Sequence, residues 1–240
     1  MSTSTPIADA LSQVAVEINT RRPLPDVLQD LVHMACRSLP GVDHAGISIT
    51  HADGRIETVA ATDELVRELD QIQYELDEGP CLRAIRDEGV VIINYARTDD
   101  RWPVFVKEAC ARGLRSQMGM KLYSDEQTLG GLNLYSTATD ELDHDTVHIA
   151  QLFAGHAALA LGKARLEENL LAGMGSRQRI GVAVGIVMQR YGLDESRAFQ
   201  YLARVSQTSN TKLRDIADEL IDAANRAHGL PQSRRQEPAR

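Results

Sequence analysis

Between Arg204 and Lys212 the chain sets seven uncharged residues, VSQTSNT, and a further cation, Arg214, follows two positions later. If the segment before this turn is helical, Arg197, Tyr201, Arg204 and Thr208 fall at i, i+4, i+7 and i+11. Guanidinium, ring and hydroxyl then share one face, opposite Ala198, Leu202 and Val205. Lys212 and Arg214 open the next helix near the positive end of its dipole, where a cation is disfavoured and an incoming phosphate is favoured. Ser206, Thr208, Ser209, Asn210 and Thr211 add short polar groups in reach of phosphate oxygens or the edges of unpaired bases. Such a set suits a polyanion, with cations to position its backbone and polar groups to read what is unpaired. A plainer role competes at each position: the Ser, Asn and Thr side chains as helix caps, the arginines as solvated surface.

Other reactive residue types are sparse. The three cysteines, 36, 81 and 110, are too scattered for a disulfide framework or a CxxC zinc site. Cys81, in EGPC, stands at an expected helix start whose dipole lowers a thiol pKa, which opens a redox or ligand role beside that of an inert buried cysteine. His144 and His148 have the i, i+4 spacing of metal ligands, yet a polar helix start accounts for them, and no metal is expected. GxGxxG, Walker, GxSxG and HExxH patterns are all missing, so the expectation is a protein that is not an enzyme.

Charge divides the chain. Its net charge is −8, but residues 1–172 carry 15 Lys+Arg against 27 Asp+Glu, whereas residues 173–240 carry 11 against 7. An acidic module followed by a mildly basic one is a partner signal that the whole-chain pI of about 5.4 conceals. No apolar run approaches the roughly 20 residues of a membrane span, and Asp9 interrupts the first apolar stretch, against a secretory signal. The expected location is cytoplasmic.

The elements that must carry these side chains follow from periodicity. Residues 7–19 and 24–39 read as helices, the second with Leu24, Val27, Leu28, Leu31, Val32 and Ala35 in one stripe. HAGISITHADGRIETVAAT reads as a hairpin turning at Asp53-Gly54, with Ile47 and Ile49 on one face and Ile56 and Val59 returning. Strands are expected at residues 90–94, 119–124 and 129–136, the last two joined by the turn DEQT, and short helices at 81–86 and 102–112. Hairpins imply antiparallel pairing, hence an α+β module. From Asp143 the pattern is helical. Leu152, Leu159 and Leu166 recur every seven residues with His156, Lys163 and Leu170 between, beside a seam of Ala150, Ala154, Ala157, Leu161 and Ala164. This predicts either a parallel dimer through residues 143–172 or the last helix of the sheet module. GMGS, residues 173–176, reads as a joint or as a weak spot in one long helix. Three short helices follow: one with Ile180, Ala183, Val184, Val187 and Tyr191 on one face and ending at Gly192, one capped by Asp194, and one after the Ser209-Asn210-Thr211 caps that buries Leu213, Ile216, Ala217, Leu220 and Ile221. They predict a compact bundle, and residues 228–240 a disordered tail.

The stretch RIGVAVGIVMQRYGLDESRAFQYLARVSQTSNTKLRDIADELI resembles the ANTAR domain, an RNA-binding antitermination module, in its IGxAxGIxM, YGLxxxxAFxxL and SQxxNxKLRDIA patterns. Val184 stands where some members carry Lys. LDEGPCLRAIRDEGVVIINYARTDDRWPVF, followed by LGGLNLYS, resembles the GAF sensory domains that precede ANTAR modules in actinobacterial regulators. The resemblance implies a GAF-like sensory and dimerisation domain at residues 1–172, including the connecting helix, an ANTAR three-helix domain at 173–226 and a tail at 227–240.

It further implies a transcription antiterminator. A dimer grips paired stem-loops of nascent RNA, reads their exposed loop bases and thereby prevents a competing terminator hairpin. Carried over by position, the family's RNA surface falls on Arg197, Arg204, Ser206, Asn210, Lys212 and Arg214, to which helical geometry adds Tyr201 and Thr208. The GAF module is expected to hold a small-molecule ligand or to serve as a dimer scaffold, with no cofactor assigned. A DNA-binding helix-turn-helix regulator and a non-catalytic dimeric signalling scaffold are the alternatives. The first of these needs its cations at the start of a recognition helix, whereas here they flank a turn.

Overall fold

A computed structural model of the chain describes residues 22–124 and 127–227. The expected helix at 7–19, the residues Asp125 and Glu126 of the DEQT turn, and the tail 228–240 lie outside the described residues. Two compact units divide between Arg165 and Leu166.

The first unit is built on five antiparallel strands in the order β2-β1-β5-β4-β3. In chain order the elements are α1 (Leu24–Ser38), β1 (His44–Thr50), β2 (Ile56–Ala61), α2 (Glu64–Leu76), α3 (Pro80–Arg83) with a π turn at Ala84–Glu88, β3 (Val90–Ile93), α4 (Pro103–Ala111), β4 (Ser116–Ser124) and β5 (Gln127–Ser136). The α+β expectation therefore holds, and so do the hairpin and the three later strands, with β4 beginning three residues earlier than periodicity predicts. One core layer lies on the sheet face of Ala45, Ile47, Met118, Met120, Leu122, Leu132 and Leu134. Leu28, Leu31, Val32 and Ala35 of α1 cover it, with Ala150, Phe153, Ala157 and Leu161 of the following helix.

The other sheet face packs on α2 and α4 through Val66, Leu69, Ile93, Phe105, Ala109 and Tyr135. Glycines set the distance on this side. A Cβ at Gly46 would stand 2.6 Å from Val66 Cγ1, and one at Gly119 would stand 2.7 Å from the Pro80 carbonyl oxygen, so any larger residue would push α2 or α3 off the sheet. At the edge of this layer the guanidinium of Arg101 lies 4.7 Å over the ring of Trp102, the single tryptophan of the chain.

Helix α2 is absent from the sequence expectation although its signals are present. Asp63 caps it, accepting from the amide of Val66 at 3.3 Å, and Val66, Leu69 and Gln73 recur on its buried side. Polar Asp70 and Gln73 on that inner side blur the stripe.

Helix α5 (His144–Tyr191) runs unbroken for 48 residues through GMGS, which resolves the two readings of that stretch in favour of one long helix. Its first part buries Ala150, Phe153, Ala154, Ala157 and Leu161, while Leu152 and Leu159 face outward at 45% and 65% exposure. The second unit comprises the remainder of α5 with α6 (Glu195–Ser209) and α7 (Leu213–Ala227). Its core is aliphatic: Ala183, Val184 and Val187 of α5, Ala198 and Leu202 of α6, Ile216 and Ala217 of α7. Val184, 6% exposed, is a packing residue here.

Candidate nucleic-acid interface

Helix α6 begins where Asp194 accepts from the Arg197 amide at 2.8 Å, so the cap fixes the phase of every residue that follows. Ala198 and Leu202 then turn inward, and Arg197, Tyr201, Arg204 and Thr208 turn outward together. The stripe extends about 16 Å from Arg197 to Thr208, at 1.5 Å rise per residue. The helix closes on Asn210, whose φ of 52° is left-handed and whose amide donates to the Ser206 carbonyl. Asn tolerates this conformation better than most non-glycine residues. The Thr211 amide donates to the same carbonyl at 3.2 Å.

After this reversal the Lys212 carbonyl accepts from the amides of Asp215 at 2.9 Å and Ile216 at 3.2 Å, which makes Lys212 the residue at the α7 cap position. The capping expected of Ser209, Asn210 and Thr211 is thus displaced: Ser209 and Thr211 donate their hydroxyls backward, to the carbonyls of Val205 at 2.8 Å and Ser209 at 3.3 Å. The remaining hydroxyls are engaged in the same way. Ser206 donates to the Thr211 carbonyl at 2.6 Å, and Thr208 to the Arg204 carbonyl at 2.9 Å. A hydroxyl that donates inward keeps only its acceptor side for solvent. Ser206, half-buried, shapes the turn, and the outward donors left on this stretch include its cations and the side-chain amide of Asn210.

These cations differ in their partners. Arg197 lies 3.5 Å from Asp194 and Arg214 3.3 Å from Asp215, exposed pairs of little energy. Arg204 and Lys212 are exposed and make no ion pair among the described residues. The structure therefore brings Arg197, Tyr201, Arg204 and Thr208 onto one face, and sets Asn210, Lys212 and Arg214 in and just beyond the turn. Elsewhere in the second unit Arg179 of α5 pairs with Asp218 of α7.

Two residues outside the expected set join this surface. Tyr191, expected on one helical face with Ile180, Ala183, Val184 and Val187, is 53% exposed, because it lies one turn past Val187 and beyond the aliphatic core. Its ring centroid is 5.5 Å from that of Tyr201, the planes are inclined by 43°, and the Arg190 guanidinium stands 5.9 Å from the Tyr191 centroid. The sequence signal was the tyrosine one residue before Gly192, a helix-ending position that has no helix left to pack against. On the α6 and α7 side, Tyr201, Val205, Leu220 and Ala223 line a groove of about 500 Å³ that also carries Glu219, Asp222 and Arg226, two carboxylates against one cation.

In the first unit Cys81 departs from expectation. It is 1% exposed, Asn133 Nδ2 lies 3.1 Å from its sulfur, and burial pushes the thiol pKa up rather than down. The four-residue α3 is too short to offset that desolvation. Around it lies a buried polar layer. Asp70 accepts from Thr58 at 2.7 Å, from Asn133 at 3.0 Å and from the Tyr135 hydroxyl, and Ser48 bonds Tyr74 at 2.6 Å. Burial nevertheless raises the Asp70 carboxyl to about 6. Asn133 Oδ1 and both polar side-chain atoms of Gln117 are buried without a partner among the described residues. His144 and His148 are both exposed at the start of α5, and no group of three metal-ligating side chains occurs among the described residues. No described helix is long and apolar enough to cross a membrane.

The family model described as GAF domain matches residues 21–162, and that described as ANTAR domain matches residues 168–221. No curated protein matches the chain. Among solved structures, the phycoerythrobilin-bound GAF domain of a cyanobacterial phytochrome is 16% identical, with a TM-score of 0.55 over 70% of this chain and 100% of that one. The GAF domain of a phosphoenolpyruvate-protein phosphotransferase from Coxiella burnetii is 18% identical, with a TM-score of 0.54 over 70% and 99%. At these identities the likeness shows the fold of the first unit.

Proposed function

Because this chain belongs to the GAF-domain family and carries an ANTAR domain behind it, we propose that it is a transcription antiterminator that binds paired stem-loops of nascent RNA under the control of its GAF domain. A sensory module followed by an RNA-binding antitermination module is the architecture of a regulator, and neither domain is catalytic. The observation that supports RNA as the partner is the exposed face of Arg197, Tyr201 and Arg204 continued by Lys212 and Arg214, within a chain whose net charge is −8. Two of these cations have no ion pair within the described protein to break before meeting a phosphate. Protein side chains read RNA sequence in loops, because the deep A-form major groove is closed to them. Holding loops of two adjacent hairpins would keep the RNA from refolding into a terminator.

Two hairpins call for two reading units, and the second comes from a second copy of the chain. Leu152, Leu159, Leu166 and Leu170 are 45%, 65%, 59% and 59% exposed at the positions of the heptad pattern on α5. This is apolar surface that a partner helix would cover. The proposed functional modules remain residues 1–172, 173–226 and 227–240, working in the cytoplasm where nascent RNA is made. The unpartnered Asn133 Oδ1 and the side-chain amide of Gln117 are where a small polar ligand of the GAF module would be recognised.

The test is a titration of the full chain with single and paired RNA hairpins at several salt concentrations, with duplex DNA as competitor. Paired hairpins should bind more tightly than single ones, with strong salt dependence. Preferential competition by duplex DNA would support the DNA-binding reading, and dimerisation without salt-sensitive binding to either nucleic acid would support the scaffold.

A further inference from the structure

All three aromatic residues of the second unit, Tyr191, Phe199 and Tyr201, lie on its surface at 53%, 45% and 43% exposure, and its core contains none. Aromatic side chains ordinarily dominate cores because they bury 150–250 Å² each. A unit that packs only Ala, Val, Leu and Ile inside while holding its rings in water has a use for the rings outside. Two of them are organised. Tyr191 at the end of α5 and Tyr201 in the middle of α6 have ring centroids 5.5 Å apart with planes at 43°, and the Arg190 guanidinium stands 5.9 Å from the Tyr191 centroid. Phe199 is two residues from Tyr201 on a helix, hence about 200° away, and belongs to another face.

The electrostatics of this corner differ from those of the turn at the other end of α6. Tyr191 occupies the last turn of α5, where the cations Arg190 and Arg197 are matched by the carboxylates Asp194 and Glu195. No excess of positive side-chain charge gathers there to draw a phosphate. A neutral base needs none, and Arg190 and Tyr201 offer it planar faces. Toward the turn, Arg204, Lys212 and Arg214 stand against Asp215 alone, so the side-chain charge is positive. One end of the surface therefore suits stacking and the other suits phosphate.

We propose that Tyr191 and Tyr201, with Arg190, form a stacking platform that receives an unpaired loop base, while Arg204, Lys212 and Arg214 hold the adjoining phosphates. The inference rests on the RNA-binding reading above and deepens it. It adds Tyr191 and Arg190 to the site, and it gives Tyr201 the role of a ring rather than of a hydroxyl donor.

The probe is a stem-loop selected by the full wild-type chain from a pool with randomised loops, then carrying 2-aminopurine at each loop position in turn. Wild type should quench the fluorescence at one loop position. Tyr191→Ala and Tyr201→Ala should weaken binding about five- to 150-fold each, the range of a lost base–aromatic stack. They should abolish that quench and leave the salt slope unchanged, whereas Tyr191→Phe and Tyr201→Phe should keep both affinity and quench. Arg204→Ala should instead lower the slope with the quench intact. Unchanged affinity and quench in both alanine variants, with helical circular dichroism equal to wild type, would overturn the platform while leaving RNA binding in place. Failure of wild type to select any stem-loop would remove the RNA reading itself, and the platform with it.

Discussion

Asp70 concentrates the main conflict within the sensory unit. Three donors point at its carboxylate, yet complete burial raises its pKa to about 6. The folded carboxyl therefore keeps its proton up to about pH 6, whereas in the unfolded chain it releases it near pH 4. Between these values the folded state binds more protons, so its contribution is full below about pH 4, falls as pH rises and is spent above about pH 6. A shift of about two units amounts to roughly 3 kcal/mol. In urea unfolding, Asp70→Asn should gain about that much on wild type between pH 4 and pH 7, and an unchanged difference would contradict the assignment. Cys81, in the same layer, should resist alkylation in the native chain at pH 8 and react once urea unfolds it, as peptide mass analysis would show. On the basic surface, Arg204→Ala and Lys212→Ala should each lower the slope of log affinity against log salt by about 0.7, the single-strand counterion term per phosphate.

Among the elements, α6 depends most on its ends. Asp194→Ala removes the acceptor for the Arg197 amide and should cost about 1 kcal/mol in thermal or urea unfolding, lowering RNA affinity through loss of helix phase. Gly192, at φ +62°, turns the chain from α5 into α6, and Gly192→Ala should cost about 1 kcal/mol or more for the same measurement. The strands, α1 and α6 were legible because their apolar residues keep strict periods. Helix α2 was not, because Asp70 and Gln73 occupy its inner face, where a polar interlayer rather than a hydrophobic one was needed. The cations of α6 were legible as one face from their spacing. The inward donation by Ser206 and Thr208 was not, since a hydroxyl has nearby carbonyls as well as ligands to choose from, and only the backbone geometry decides. The exposure of Tyr191 was not legible for a related reason: helical period gives a direction, but it does not tell how far along the axis the neighbouring helices extend.

At the scale of the molecule, the outward leucines of α5 are the surface on which the proposed dimer rests. Leu159→Lys with Leu166→Lys should convert the full chain from that proposed dimer to a monomer in analytical ultracentrifugation. Affinity for paired hairpins should fall toward that for one hairpin, by a factor in the range 10²–10⁴ that linkage of two sites commonly supplies. Loss of dimer without loss of preference for paired hairpins would show that one chain reads both. The position of Trp102 has a separate practical consequence. The only indole of the chain lies in the first unit, beside Arg101, while the second unit carries phenols and a phenyl ring but no indole. Light absorbed selectively by tryptophan therefore gives an emission native to the sensory half alone, an intrinsic optical label with which its response to a signal can be watched while RNA occupies the other half.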